Sequence, residues 1–262
     1  MPADLVLNAD NGGYGDFICC AWVAEGLKGT DSRLRFCTTV AAKRELLELL
    51  GQTVTGDPGA AFHVLPGSEF QTVHIEHGFV PRVISTARFL HLPHVWKRPP
   101  RPRIRPAQAA AAESWWGARP PGRLRIACLG QATTVDRHWP HWSKFIALSD
   151  GAARKVETRT WTELAALLLA ADVAVGEDSG PAHFAATLGL RTVVLCGPTC
   201  SGLYWHAREN VTMLDCGRER MPCVRCHWQR APIGDYCPAC TLGCQALAAL
   251  TPRAVLDACH AA

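Results

Sequence analysis

An α/β protein built from two parallel-sheet lobes is the fold class this sequence predicts, on three observations. Residues 171–199, ADVAVGEDSGPAHFAATLGLRTVVLCGPT, pass from an apolar Ala/Val-rich run through a tight turn and a short helix to a second apolar run. That is the pattern of a βαβ unit whose strands are buried on both faces. The N-terminus opens in the same way: ADLVLNA as a strand, NGGYGD as a Gly-rich turn, then FICCAWVAEGLKG as a helix closed by Gly29. Between 123 and 215 strand and helix candidates alternate, which calls for a parallel sheet.

The remaining elements follow in order. LRFCTTV at 34–40 reads as a second strand, AAKRELLELLG at 41–51 as a helix, and AFHVL at 61–65 and TVHIEH at 72–77 as further strands, completing a first domain over 1–96. Residues 97–122 form a connection. Its first nine residues, Lys97 to Arg105, carry five cations and alternate with proline, so they read as an extended, solvated linker. A short helix, AQAAAAESWW, follows with Pro106 at its head, where a missing N–H costs nothing. The second domain spans 123–215: LRIACLG at 124–130 is a strand, QATTVDRHWPHW at 131–142 a loop, and ARKVETRTW at 153–161 leaves room for one short strand before the helix WTELAALLL. In that helix Glu163 reads as the capping-box acid after Thr160. A Cys-rich segment at 216–244 and a C-terminal helix at 245–262 complete the chain.

Composition bounds the function. The chain has 262 residues, 48% hydrophobic and 19% charged, enough for two modest domains with cores of their own. A formal net charge of +4 suits anionic small molecules and does not indicate nucleic acid. No basic-plus-apolar leader opens the sequence, and no apolar run reaches the roughly twenty residues a membrane span needs. The expectation is a cytoplasmic protein, with a membrane surface among its peripheral contacts.

The turn at 178–183 carries chemistry. Asp178, Ser179 and Gly180 lead into a helix, with Pro181 in its first turn and His183 close behind. Backbone N–H groups, a hydroxyl and an imidazole at a helix N-terminus suit a phosphate. Local chemistry leaves a second reading open, in which Asp178 or Ser179 is an ordinary N-cap.

The cysteines are the other strong signal. Of 13, six lie between 216 and 244. Cys223 and Cys226, then Cys237 and Cys240, form two CxxC knuckles separated by residues 227–236, with Cys216 and Cys244 flanking. Two such knuckles give the pattern of a tetrahedral metal–thiolate site, structural rather than catalytic because four thiolates leave no open position. Zinc and iron are both compatible. Cys19, Cys20, Cys37, Cys128, Cys196 and Cys259 read as small buried hydrophobes.

The run D-S-G-P-A-H-F-A-A-x-L-G-x-x-T-V-x-L-x-G-P-T, from Asp178 to Thr199, resembles the signature of the heptosyltransferase family, glycosyltransferase family nine. The N-terminal Gly13-Tyr14-Gly15-Asp16 turn is similar to the one that opens the family, and Arg137 before Trp139-Pro140, with Thr133 or Thr134 upstream, matches a third patch. The resemblance implies a GT-B architecture, two facing Rossmann-like domains, and transfer of a sugar from a nucleotide-diphosphate donor such as ADP-heptose to a saccharide, lipopolysaccharide or protein acceptor. It places Ser179, Gly180, Pro181 and His183 on the donor diphosphate with Asp178 bracing the turn, and counts Gly13 and Gly15 of the N-terminal turn, with Thr134, among the donor-binding residues. Asp16 becomes the general base on the acceptor hydroxyl, and Arg137 the cation facing the departing diphosphate. Some protein-modifying members carry a cysteine-held iron, which the 216–244 segment resembles. The sequence is shorter than the family between Gly151 and Trp161, where members have strand, helix and strand. Two other functions stay open: a non-catalytic relative that binds a sugar nucleotide, and a metal-finger interaction module on an α/β base.

Overall fold

The computed structural model describes residues 4–9, 13–31, 33–55, 62–64, 100–119, 121–130, 137–198, 209–217 and 243–261. The chain forms two compact units, one of Met1–Arg103 with Thr160–Thr162, the other of Ile104–Arg159 with Glu163–Ala262.

In the first unit, β1 (Asp4–Asn8), β2 (Arg33–Cys37), β3 (Val54–Thr55) and β4 (Phe62–Val64) make a parallel sheet in the order β3-β2-β1-β4. Helices α1 (Tyr14–Gly26) and α2 (Ala41–Leu49) link its strands. Helix α1 is apolar around most of its circumference, and Phe17 to Ala24 are all buried. That is why the FICCAWVA run shows no polar stripe: a helix apolar all round belongs inside. Helix α1 begins at Tyr14, three residues before the expected start, so Asp16 stands within its first turn. The strand expected at 72–77 lies outside the described residues.

In the second unit, helix α3 (Pro106–Trp116) precedes a five-stranded parallel sheet of β5 (Ile126–Leu129), β6 (Ala153–Lys155), β7 (Val173–Glu177), β8 (Arg191–Leu195) and β9 (Val211–Leu214), in the order β6-β5-β7-β8-β9. Helices α4 (Trp142–Leu148), α5 (Trp161–Leu169) and α6 (Gly180–Thr187) connect them. Strands β5 and β7 are buried along their whole length, as continuous apolar runs predict for a covered parallel sheet. One short strand, β6, fills the compressed stretch before α5, as its length requires. Ahead of α5, Glu163 accepts the backbone N–H of Arg159 at 3.0 Å, one residue before the Thr160 position the capping-box pattern suggests.

The C-terminal helices α7 (Gln245–Ala248) and α8 (Pro252–Ala261) belong to this unit, and Leu247, Leu250, Val255 and Leu256 join Ile126, Phe145, Val175 and Val193 in one core. The Cys-rich segment therefore departs from and returns to a packed base, at Cys216 and Cys244, 8% and 3% exposed. Of the cysteines read as hydrophobes, Cys19, Cys20, Cys128, Cys196 and Cys259 are buried and Cys37 is half-buried. Burial pushes the Cys128 and Cys259 thiols up, away from reactivity. No helix among the described residues is long and apolar enough to cross a membrane.

Candidate functional site

Ligands of open parallel sheets bind beyond the carboxyl ends of the strands where the strand order reverses. In the second unit the chain runs from β5 outward to β6, then crosses back to β7, so the reversal lies between β5 and β7. Gly130 follows β5 there, and Glu177 ends β7 with Asp178 and Ser179 directly after it. In the first unit β1, β2 and β3 run one way and β4 lies on the other side of β1, so that reversal falls beside β1, the strand that leads into Gly13–Asp16. Both motifs singled out in the sequence thus stand at switch points of their own sheets.

The β7–α6 turn is built for close approach. Gly176 lies against β5, where a Cβ would come within 2.9 Å of the Leu129 Cβ. Ser179 is the N-cap of α6 with extended backbone, Gly180 is the first helical residue and Pro181 the second. The side chain of Ser179 makes no capping bond, and its Oγ is buried with no hydrogen-bond partner among the described residues. That departs from the simple N-cap reading, in which this oxygen would be spent on a backbone N–H. The first intrahelical bond runs from the His183 N–H to the Ser179 carbonyl. The amides of Gly180 and Ala182 come too early in the helix for an intrahelical acceptor. An unspent hydroxyl and early-turn amides at the positive end of a helix can hold an anion.

His183 and Asp178 lie together beneath this turn, with side chains 4% and 7% exposed and Nε2 3.1 Å from Oδ1. Asp178 braces the turn by this pairing. His183 is braced with it, which places its imidazole in the support of the turn.

The described part of the 131–142 loop, from Arg137 onward, meets the same turn. Thr133 and Thr134 lie outside the described residues. Arg137 brings Nη1 within 3.5 Å of the Asp178 carbonyl, at the mouth of the turn. Trp139 is 1% exposed, meets Trp142 edge-to-face at 5.0 Å, and donates its indole N–H to the Leu250 carbonyl at 2.9 Å. His141 Nε2 lies 2.9 Å from the Ala248 carbonyl. Trp139 and His141 thus pin the Arg137 segment to the C-terminal helical region.

One residue here was not singled out in the sequence. Glu177, wholly buried, accepts the Trp139 backbone N–H at 3.0 Å and the Trp142 indole N–H at 2.8 Å, both on Oε1, while Oε2 has no hydrogen-bond partner among the described residues. The available signal was an acid closing an otherwise apolar strand, ADVAVGE. Burial raises its pKa against the opposing pull of the two tryptophan N–H groups and of His138. A carboxyl raised in this way supports the fold at low pH and loses that contribution as pH rises from its unfolded value through its folded one. Glu177→Gln should therefore raise the melting temperature at pH 7 relative to the parent, with the gain vanishing toward pH 4. Melting curves across that range check it, and a gain confined to acid pH would contradict it.

In the first unit, Asp16 accepts the Gly13 backbone N–H on Oδ2 at 3.1 Å and remains partly exposed. Gly15 stands in the same first turn of α1. The acid closes the turn, and the helix dipole favours its charge. Cys223, Cys226, Cys237 and Cys240 lie outside the described residues. Among the described residues no group of three or more His, Cys, Asp or Glu side chains could hold a metal ion.

Comparison with known proteins follows these features. Residues 157–231 match the family model of glycosyltransferase family 9 (heptosyltransferase), a span that includes the β7–α6 turn. Solved structures resemble the chain over nearly its whole length. ADP-heptose lps heptosyltransferase II of E. coli matches with a TM-score of 0.59 at 12% identity, covering 99% of this chain and 98% of that one. The iron-containing dodecameric glycosyltransferase TibC from enterotoxigenic E. coli H10407 matches at 0.66 and 14%, covering 99% and 76%. E. coli heptosyltransferase WaaC, solved with ADP, matches at 0.55 and 13%, covering 97% and 98%. At these identities the likeness is one of fold: α/β with parallel sheets, as in solved heptosyltransferases. No curated protein sequence showed significant similarity.

Proposed function

We propose that this protein is a glycosyltransferase that moves a sugar from a nucleotide-diphosphate donor to a hydroxyl acceptor. The observation that carries the reading is the β7–α6 turn, which presents the unspent Ser179 hydroxyl and early helical amides at a switch point, within the span matched by the heptosyltransferase family model. In this reading Gly180 and Pro181 shape the diphosphate seat, and Asp178 and His183 hold it from beneath. Arg137 faces the charge that builds on the leaving group, with Thr134 beside it. Asp16, in the turn with Gly13 and Gly15, takes the acceptor proton. ADP-heptose is the donor proposed first, because the donor or nucleotide named for similar solved structures is ADP-heptose or ADP. The acceptor is a saccharide, lipopolysaccharide or protein, reached from the cytoplasm or at a membrane surface.

A thermal-shift screen against ADP, UDP, GDP and CDP sugars tests the donor site. A ligand at a hundredfold its dissociation constant stabilises by about 2.7 kcal/mol. Arg137→Ala should weaken binding of the best nucleoside diphosphate by about 1.5–3 kcal/mol, the range for charge-assisted hydrogen bonds. A protein that no sugar nucleotide stabilises removes the reading. The short β6-to-α5 passage favours one alternative, a relative that binds the donor without turning it over; detection of sugar transfer separates the two.

The cysteine finger is proposed as a structural metal site held by Cys223, Cys226, Cys237 and Cys240, zinc or iron, with TibC as an iron-containing example among the similar structures. Because metal binding and local folding are one event, stripping the metal should open 216–244 to protease. The second unit should keep its melt and its nucleotide binding, since the described residues of its core, Cys216 and Cys244 apart, lie outside that segment. Elemental analysis of untagged protein should give about one ion per chain. Metal-free protein in which Cys223, Cys226, Cys237 and Cys240 are freely reactive thiols would overturn the site. Retention of metal by Cys240→Ser would move the fourth ligand to Cys216 or Cys244.

A further inference from the structure

Glu177 ends β7 at the switch point, directly before Asp178 and Ser179, and its side chain turns to the other wall. Through Oε1 it receives the backbone N–H of Trp139, two residues beyond Arg137, and the indole N–H of Trp142, at 3.0 and 2.8 Å. Trp142 in turn lies against Gly130, where a Cβ would fall 2.5 Å from its Nε1, so the ring occupies the space a side chain would fill at the exit of β5. One carboxyl oxygen thereby joins three pieces: the end of β5, the return of the 131–142 loop, and the start of the Ser179 turn. This node adds to the direct link between Arg137 and the Asp178 carbonyl, which at 3.5 Å is too long to fix by itself the spacing of Arg137 from the α6 N-terminus.

We propose that Glu177 is the positioning residue of the donor site, an acceptor that sets Arg137 against the Ser179 turn so that the two close on a diphosphate together. The proposal rests on the donor-site reading of that turn. Glu177 need not touch the ligand. Its acceptor oxygen matters, and a neutral isostere that keeps the oxygen should do the same work. An apolar residue of like length would leave two buried N–H groups without a partner and release the Arg137 segment.

ADP titration of the full chain, followed by calorimetry, tests this. Glu177→Gln should bind ADP within about threefold of the parent, while Glu177→Met should bind tenfold or more weakly. Trp142→Phe, which keeps the ring on Gly130 and deletes the indole donor, should weaken binding about threefold to fivefold with its cooperative melt intact. It serves in place of Glu177→Met should that variant not fold. The deciding readout is coupling: Arg137→Ala should cost about tenfold less in a Glu177→Met background, and about threefold to fivefold less in a Trp142→Phe background, than in the parent, because sites that act through one element are not additive. Additive losses, or parent-like ADP binding by folded Glu177→Met and Trp142→Phe, would overturn the positioning role while leaving the donor site standing. A parent chain that binds no nucleoside diphosphate would remove the donor site and the positioning role with it.

Discussion

Asp16→Asn is expected to lower sugar transfer by about 10²–10⁴-fold, the usual contribution of a positioned general base, while donor binding and melting temperature change little. The separation follows from where the carboxylate sits. Its Oδ2 holds the Gly13 N–H at 3.1 Å, a bond that an asparagine oxygen can keep. The stability cost is then the lost charge at the helix N-terminus, about 0.3–1 kcal/mol. The catalytic cost is the lost base, because an amide cannot take a proton at neutral pH. Initial rates with saturating donor, beside melting curves and ADP titration, check both halves. Turnover at the parental rate would reduce Asp16 to a helix cap.

His183→Ala should produce the largest combined effect in the second unit. The imidazole and the Asp178 carboxylate are each almost fully enclosed, 3.1 Å apart. Truncation leaves the acid buried beside a cavity, and losing one partner of a buried polar pair typically costs about 3 kcal/mol. Asp178 and Ser179 are adjacent, so the same change should loosen the anion seat and weaken nucleoside-diphosphate binding by about 1.5–3 kcal/mol. Melting and titration of the purified variant measure the two together. A variant that melts and binds as the parent does would show that His183 braces nothing.

Much of the fold is legible in sequence because it is written in short range. Covered parallel strands must be continuous apolar runs, so IACL, VAVGE and TVVL announce themselves, and the turn after VAVGE is marked by Ser, Gly and Pro in an order few other conformations use. The anion-ready turn could be named from that order. Where the local signal is shared between states, boundaries moved: α1 starts at Tyr14, because Tyr14 to Asp16 fit a first turn as well as a loop. Glu177 escaped notice for a related reason. A strand that ends in an acid looks like a strand that ends in solvent, and nothing nearby in sequence shows that Trp139 and Trp142 return to cover it.

By itself, the sequence determined the α/β class, the candidate groups and their chemistry, since hydroxyl, imidazole, guanidinium and carboxylate carry the same reactivity wherever they lie. Only the tertiary structure decided which of them act together. Strand order put the β7–α6 turn at a reversal of its sheet, and packing carried His183 beneath that turn and drew the 137–142 segment onto Glu177. Those are matters of long-range pairing, set by how apolar surfaces fit and how buried N–H groups find acceptors. No window of neighbouring residues contains that information.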